Sequence, residues 1–521
     1  AVALLHSYRQ PSHEESITRE LVAAGFEHVS WSAAMAPVIR ILPRAQTAIV
    51  DAYLGPIVGN YLSSIRRALE DAPGAPERSR RVLVMTSAGG LVADTDCHAK
   101  DCLLSGPAGG VVGAAAAARE AGCPAILSFD MGGTSTDVAR FAGELEYVFE
   151  QRVGDAQIVA PALHIETVAA GGGSVCWAVG AQLKVGPHSA GADPGPACYG
   201  AGGPLTVTDV NLLLGRLDTE RFEVPLAPSA SEAAALAVAR AAGVDQDQIP
   251  HMLDGFLRIA NERMAEAIRR VSVQRGYDPA DHALLAFGGA GAQHACAIAA
   301  ELAISTVVVP SDVSLLSAAG LGRAAVERFA HRQVLEPLAD LESEGRLRAL
   351  IESTSSEALE LVRRDATSGS VEVRRRIARL RFAGQESTLD VDCGPMEDAE
   401  SLAERFRQQY RATFGTAPAR RVELESLRVV AASDEAAPTE LAGEHRAAIG
   451  GRPRIAFAWF DGRRRAVPIY ERGSICSTSA VSGPALVVEQ SSCTVVEPGW
   501  TLRCHRGGSL LLSRDDEAPI R

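Results

Sequence analysis

Ser128-Phe129-Asp130-Met131-Gly132-Gly133-Thr134-Ser135-Thr136-Asp137-Val138 is the stretch from which the fold can be read. It follows an apolar run beginning at Ile126, with the composition of a buried strand. That strand delivers Asp130 into a Gly-Gly turn, and three hydroxyl residues lead out into a second strand. Glycines in such a turn reach backbone conformations closed to other residues and let a phosphate approach closely. Successive turn N–H groups form a nest for an anion. The hydroxyls add donors, and Asp130 can hold a hydrated Mg2+, which prefers carboxylate and water oxygens. An ordinary hairpin with a Gly-Gly turn is the plain alternative, and an aspartate buried at the strand end weighs against it.

Two further glycine runs flank this hairpin. Downstream, Leu285-Ala-Phe287-Gly288-Gly289-Ala290-Gly291 again carries a strand into a turn that opens a helix. Such a turn can lie against a flat purine or offer helix N-terminal amides, or it can be tight strand–helix packing. It is not the G-x-G-x-x-G of a dinucleotide site. Upstream, Ser105-Gly106-Pro107-Ala108-Gly109-Gly110 opens a helix at Val111, and close packing of that helix on a neighbour accounts for it.

Around these runs the chain alternates helical and strand patterns. Ala45 to Ala68 reads as a helix, with Ile49, Tyr53, Ile57, Tyr61 and Ile65 at every fourth position. A Pro/Gly-rich joint follows at residues 71–76, and then a strand over 81–85. From Arg140 to Val168 strands and turns alternate. Residues 170–216 are rich in Gly and Pro and read as a conformationally specific loop region. Asp254 to Arg275 is the clearest amphipathic helix, with Leu257, Asn261, Met264, Ile268 and Val271 on one stripe. Ala283 to Phe287 and Thr306 to Val309 are buried-type strands. Residues 330–366 read as charged and helical, 371–392 as alternating strands, and 398–411 as a helix. Residues 434–453 have the composition of a linker. The last seventy residues, with Ala485-Leu-Val-Val-Glu489 and Cys493-Thr-Val-Val-Glu497, read as a small all-β domain.

Composition narrows the chemistry. A chain of 521 residues, 47% of them hydrophobic, has ample material for roughly three to four domains. Its net charge of -13 argues against non-specific nucleic-acid binding. The basic residues are 49 arginines and only two lysines, Lys100 and Lys184. Neither lysine is followed by Ser or Thr, so a P-loop ATPase is excluded. No apolar stretch approaches the ~20 residues of a membrane span, and no basic region precedes the short apolar run at Ala1–Leu5, so a secretory signal is not read there. The ten cysteines form no C-x-x-C, and Cys97 and Cys102 lie closest. They read as reduced, mostly buried thiols of a cytoplasmic protein. H-E-x-x-H and G-x-S-x-G are absent, which removes the usual support for metalloprotease and serine-hydrolase chemistry.

Several isolated polar residues are candidates with bland alternatives. His164 and Glu166, two apart on a strand-like segment, share a face and suit a metal or substrate, or a cleft rim. His294 falls in the first helical turn after the second glycine run. Asp193 and Asp209 stand in the Gly/Pro-rich region, where a carboxylate orients substrate or Mg2+, or caps a loop or helix. Cys176 and Cys198 have no histidine at a recognisable spacing, which speaks against covalent cysteine catalysis.

In their order, the small-residue helix, the Asp130 hairpin and the later glycine turn resemble the second half of the actin-like ATPase core shared by actin and sugar kinases. More specifically, the chain resembles the hydantoinase A / 5-oxoprolinase family, which includes N-methylhydantoinase A, with the acetone carboxylase type of subunit a close relative. The resemblance is carried by Leu5-His-Ser-Tyr-Arg9, Ala52-Tyr-Leu-Gly-Pro56, Met85-Thr-Ser-Ala-Gly-Gly90, Ser105-Gly-Pro-Ala-Gly109 and Phe129 to Asp137. It continues through Ala170-Gly-Gly-Gly-Ser174, Gly186 to Tyr199, Val207-Thr-Asp-Val-Asn211 and Phe287 to Gly291, and ends with Gly483-Pro-Ala485 and Pro498-Gly-Trp500. It covers essentially the whole chain.

The resemblance implies an α/β fold. An actin-like, ribonuclease H-like core would have an incomplete first lobe over 1–105 and a second lobe over 106–330. A C-terminal α+β region over 331–435 would follow, then a linker and small β domain over 436–521. It implies ATP and Mg2+ as cofactors, with Asp130 the metal-holding and catalytic carboxylate, and Asp209 and His294 further catalytic residues. Gly132, Gly133, Thr134 and Thr136 would bind phosphates, and Gly288, Gly289 and Gly291 would face the nucleoside. The implied reaction is ATP-dependent ring opening of a small cyclic amide (hydantoin, 5-oxoproline or lactam) through a phosphorylated amide oxygen, with a hydantoinase B-type partner subunit. An ATP-dependent ketone carboxylase subunit and a non-catalytic scaffold subunit stay open beside it. The family's first phosphate loop, Asp-x-Gly-Gly-Thr, is absent ahead of Asp130. The expectation is that another segment or polypeptide supplies it, and that this chain alone turns ATP over weakly or not at all.

Overall fold

The computed structural model describes residues 1–70, 81–222, 225–311, 313–366, 369–434, 453–475, 480–505 and 507–515. The joint read at 71–76 and nearly all of the linker read at 434–453 lie outside the described residues. The chain divides into two compact units. One comprises Ala1–Ala108, Tyr147–Ala162 and Arg323–Pro438, and the other Gly109–Glu146, Leu163–Gly322 and Thr439–Arg521.

The second unit is built on a mixed sheet of eight strands. In chain order they are β1 (Ala125–Met131), β2 (Thr136–Ala142), β3 (Ile165–Val168), β4 (Ala283–Phe287), β5 (Thr306–Val309), β6 (Ala480–Ser482), β7 (Trp500–Cys504) and β8 (Leu510–Arg514). Across the sheet they run β6-β7-β8-β5-β4-β1-β2-β3. The centre is parallel, with β4 flanked by β1 and β5. β1 and β2 form an antiparallel hairpin in which Asp130 opposes Asp137, and β3 continues that row with Thr167 opposite Asp137. All five residues of β4 are buried, as a central strand covered on both faces requires.

Three helices fix the sheet's surroundings: α1 (Val207–Leu213), α2 (Ile249–Val271) and α3 (Gly291–Glu301). The stripe read on α2 is its buried face: Leu257, Asn261, Met264, Ile268 and Val271 are all buried. Leu257, Met264, Ile268 and Val271 join Phe129, Val138, Leu284 and Ala286 in one apolar core.

The last seventy residues do form strands, but not one small domain. Arg454–Phe460, Arg463–Glu471, Ala485–Val488 and Cys493–Val496 make a separate four-stranded sheet, whereas β6, β7 and β8 extend the large one. β8 pairs antiparallel with β5, Leu512 opposite Val307, so the tail completes the core of this unit. The alternating pattern reveals strands without revealing which sheet they join.

The first unit has its own antiparallel sheet, made of Glu327–Pro337, Val422–Ser433, Val371–Phe382 and Leu389–Asp392. Leu380, Phe382, Leu424 and Leu427 from these strands pack with Leu402 and Phe406 of the helix Ala399–Phe414. Residues 330–337, read as helical with the charged segment after them, belong to the first strand. The helices begin only at Leu338 and Arg346. The helix read from Ala45 forms over Ile41–Glu70, and four of the five residues of its stripe, Ile49, Tyr53, Ile57 and Tyr61, are exposed: Tyr53 is 75% and Tyr61 65% accessible. Among the described residues no helix is long and apolar enough to cross a membrane.

Candidate active site

The β1–β2 hairpin presents Gly132 to Ser135 as its loop, closed by the Gly132 amide donating to the Ser135 carbonyl at 3.1 Å. Gly133 and Thr134 at the tip are exposed. Their backbone amides donate to no backbone carbonyl among the described residues, so two adjacent N–H groups remain open to an anion.

A second loop cradles the hairpin. The Gly172 amide donates to the Gly132 carbonyl at 3.0 Å and the Gly173 amide to the Gly133 carbonyl at 2.6 Å. A Cβ on Gly171 would lie 2.7 Å from the Thr134 nitrogen, and one on Gly172 2.7 Å from the Thr208 hydroxyl. Only glycine permits this approach. Thr208, on α1, holds the loop in turn, its amide and hydroxyl donating to the Gly172 carbonyl at 2.8 and 2.9 Å.

The turn after β4 closes the other side. The Ala290 amide donates to the Met131 carbonyl at 3.0 Å. Gly288 has φ of +79°, and a Cβ there would run into the Asp130 carboxylate and lie 2.6 Å from the Met131 carbonyl oxygen. Gly289 is exposed, and Gly291 starts α3 against the Phe129 carbonyl. The two glycine turns therefore meet at Asp130. The upstream run plays the packing part: a Cβ on Gly110 would lie 3.1 Å from the Phe287 ring.

Electrostatics single out the carboxylates. Burial, helped by the Asp137 charge across the hairpin, pushes Asp130 up to about 6, against a hydrogen bond from the Ser317 side chain. Burial likewise raises Asp137, which accepts a hydrogen bond from the Thr167 hydroxyl at 2.5 Å. Two carboxylates opposed on neighbouring strands repel when both are ionised. A divalent cation between or beside them removes that repulsion. One or two carboxylates completed by water and phosphate oxygens is the donor set Mg2+ takes, so the residues present fit it.

The structure corrects three expectations. Thr136 is wholly buried, and its hydroxyl donates to the Ala170 carbonyl at 2.5 Å, so it ties the cradle loop to β2 and does not face the hairpin tip. Asp209 is buried at the start of α1. It accepts from the Ala197, Cys198 and Thr206 amides and from the Thr206 and Ser231 hydroxyls. With Thr206 it forms a capping box, so its carboxylate is consumed in structure. His294 is buried between Asn261, 2.7 Å from its Nδ1, and Asn211, 3.2 Å from its Nε2. Burial, with Arg216 nearby, pushes it down to about 3, which keeps the ring neutral.

The remaining candidates lie elsewhere. Glu166 points to the opposite sheet face from Thr167 and pairs with Arg270 of α2 at 3.3 Å. His164 is held below its ordinary value by burial and by Arg275. Asp193 is exposed. Cys176 and Cys198 are buried with raised thiol values, burial being the main cause, which leaves them unreactive. Asp137 is the candidate residue the sequence reading missed. Counting outward from the Gly-Gly turn pairs it with Asp130, and that symmetry was available.

The hydantoinase/oxoprolinase family model matches residues 44–329, more than half of the chain. The chain belongs to the hydantoinase/oxoprolinase family. Among the family's curated proteins, a 5-oxoprolinase of Pestalotiopsis fici is 35% identical over 96% of this chain and 40% of its own length. The caprolactamase subunit alpha of Pseudomonas jessenii is 30% identical over 96% of this chain and 74% of its own length. The crystal structure of the ATP-dependent caprolactamase from that organism superimposes with a TM-score of 0.85 at 27% identity, covering 99% of this chain and 76% of the other. Acetone carboxylase in its nucleotide-free form gives 0.71 at 22% identity, over 98% of this chain and 76% of the other, a likeness of fold. The chain spans about 40% of the length of the oxoprolinase it matches.

Proposed function

We propose that this chain is the nucleotide-handling part of an ATP-dependent hydrolase of cyclic amides, with the β1–β2 hairpin as its phosphate site. The observation that carries the reading is the opposed Asp130–Asp137 pair beside the two open amides of Gly133 and Thr134. Asp130 would hold Mg2+ through water, with Asp137 as a second carboxylate. The bound cation would neutralise phosphate charge. Gly132, Gly133 and Thr134 would receive phosphate oxygens, and Gly288, Gly289 and Gly291 would shape the nucleoside side. A cleft of about 170 Å3 opens at Gly289, lined by Tyr199, Phe222, Arg221 and Gln293, and suits one face of a base. The arrangement fits the second lobe of an actin-like core.

On this reading the amide oxygen of a lactam or hydantoin attacks the terminal phosphorus, and ADP leaves as the O–P bond forms. The carbon bearing the phosphorylated oxygen is then open to water, where a neutral amide resists it; water adds, inorganic phosphate leaves and the C–N bond breaks, so that the products are ADP, phosphate and the ring-opened amino acid. Phosphoryl transfer needs mainly positioning and charge neutralisation, and the hairpin is equipped for both. The relatives named 5-oxoprolinase and caprolactamase favour a lactam over a ketone. The relative called subunit alpha favours a hetero-oligomer with a hydantoinase B-type partner.

The test is an ATP-hydrolysis screen of the chain, together with such a partner and a chain carrying the first Asp-x-Gly-Gly-Thr loop, over 5-oxoproline, caprolactam, hydantoin, and acetone with bicarbonate. Stimulation by a cyclic amide is expected, and stimulation by acetone and bicarbonate alone would overturn the proposal. Without a chain carrying the first Asp-x-Gly-Gly-Thr loop, turnover at an ordinary enzymatic rate is not expected.

A further inference from the structure

We propose that Cys97 and Cys102 form a reversible disulfide, a redox modification site in the first unit separate from the nucleotide machinery. Their sulfurs lie 3.0 Å apart, and a disulfide needs about 2.05 Å. Closing the bond takes a side-chain movement of about 1 Å. Among the described residues no other two sulfurs are in contact.

The backbone holds the two thiols in this position. The segment between them turns through a short helical loop in which the Asp101 amide donates to the His98 carbonyl and the Cys102 amide to the Ala99 carbonyl. Its far side is pinned to neighbouring segments. The Lys100 amide donates to Asp51 at 3.2 Å. Ser87 donates through its amide and hydroxyl to the Asp101 carbonyl at 2.6 and 2.8 Å, and its hydroxyl accepts from the Leu104 amide. A loop anchored at these points cannot carry the sulfurs far apart, so the entropy of bringing them together is already spent.

Both thiols are half-buried, unlike the buried Cys176, Cys198, Cys296, Cys393 and Cys493. Cys102 is the better nucleophile of the pair. A hydrogen bond from the Cys97 thiol, with the Lys100 charge, holds it below its ordinary value, while burial opposes. The Lys100 ammonium itself pairs with Asp101 at 2.5 Å.

The oxidant class is a low-molecular-weight disulfide. The Cys102 thiolate attacks one sulfur of the oxidant and displaces one thiolate, leaving a mixed disulfide. The Cys97 thiol loses its proton and attacks the Cys102 sulfur, and the second thiolate leaves. Two electrons pass from the protein sulfurs to the oxidant, and two small thiols are released for each protein disulfide formed.

Lys100 supplies the readout, because trypsin cuts between the two cysteines. The full-length chain is equilibrated with glutathione disulfide and glutathione at graded ratios, acid-quenched, alkylated and digested. Peptides 82–100 and 101–119, each with one cysteine, are expected as a single disulfide-linked species that reduction separates. The linked species should form at a ratio at least about tenfold more reducing than the same chain requires in urea. Cys97→Ser should instead accumulate glutathione on Cys102. Two separately alkylated peptides, a lasting glutathione adduct on the unsubstituted chain, or linkage no easier than in urea would each overturn the proposal.

Discussion

A carboxylate that is buried, and that also faces another carboxylate across a hairpin, weakens the folded chain when it ionises. Asp130 titrates near 6 in the folded protein against 3.8 when unperturbed. Between those values the folded chain keeps a proton that the unfolded chain has lost. Stability therefore falls as pH rises through that window and stays lower above it. Asp130→Asn removes the penalty and should raise stability at pH 7 by up to about 2–3 kcal/mol. The gain should nearly vanish near pH 3.5, where the folded state is protonated and the unfolded state mostly so. Thermal melts at the two pH values without added metal check this, and a variant less stable at pH 7 would contradict it. At this scale the sequence was readable where the chemistry is local. Asp130, Gly132, Gly133 and Thr134 sit in one hairpin, and the turn geometry follows from the residues themselves. Of the two readings of Asp209 the structure takes the capping one, and Thr206-x-x-Asp209 is the signature of a capping box. His294 and Thr136 were misread because their partners, Asn261 and Ala170, are distant in sequence.

At the scale of elements, period identifies a helix and the residues sharing a face, but not what covers that face. On α2 the stripe is the core. On the helix Ile41–Glu70 the equivalent stripe of Ile49, Tyr53, Ile57 and Tyr61 stands in solvent. Replacing Tyr53 and Ile57 together by glutamine should change unfolding free energy by no more than about 0.5 kcal/mol per site. Chemical denaturation of the double variant measures this. A loss of several kcal/mol would show that the stripe is packed in solution. The same limit explains the strand at residues 330–337 and the divided tail. Glu327–Pro337 and β8 are fixed by pairing with Val422–Ser433 and β5, which lie far away in sequence.

For the whole molecule, the family is secure, and the reaction is a proposal resting on one hairpin. The scarcity of lysine fits it: phosphates would be held by backbone amides and by a metal on Asp130, where a P-loop would use lysine. The substrate class was not written in glycine motifs, because an acceptor pocket is shaped by side chains from many segments. The Asp130 hairpin is expected to bind nucleotide together with metal. Isothermal calorimetry of ATP, with and without Mg2+, on the unsubstituted chain and on Asp130→Asn tests this most directly. The expected result is Mg2+-dependent binding that Asp130→Asn weakens at least about tenfold. Equal affinity in the folded variant, or no ATP binding by the folded unsubstituted chain, would contradict the account.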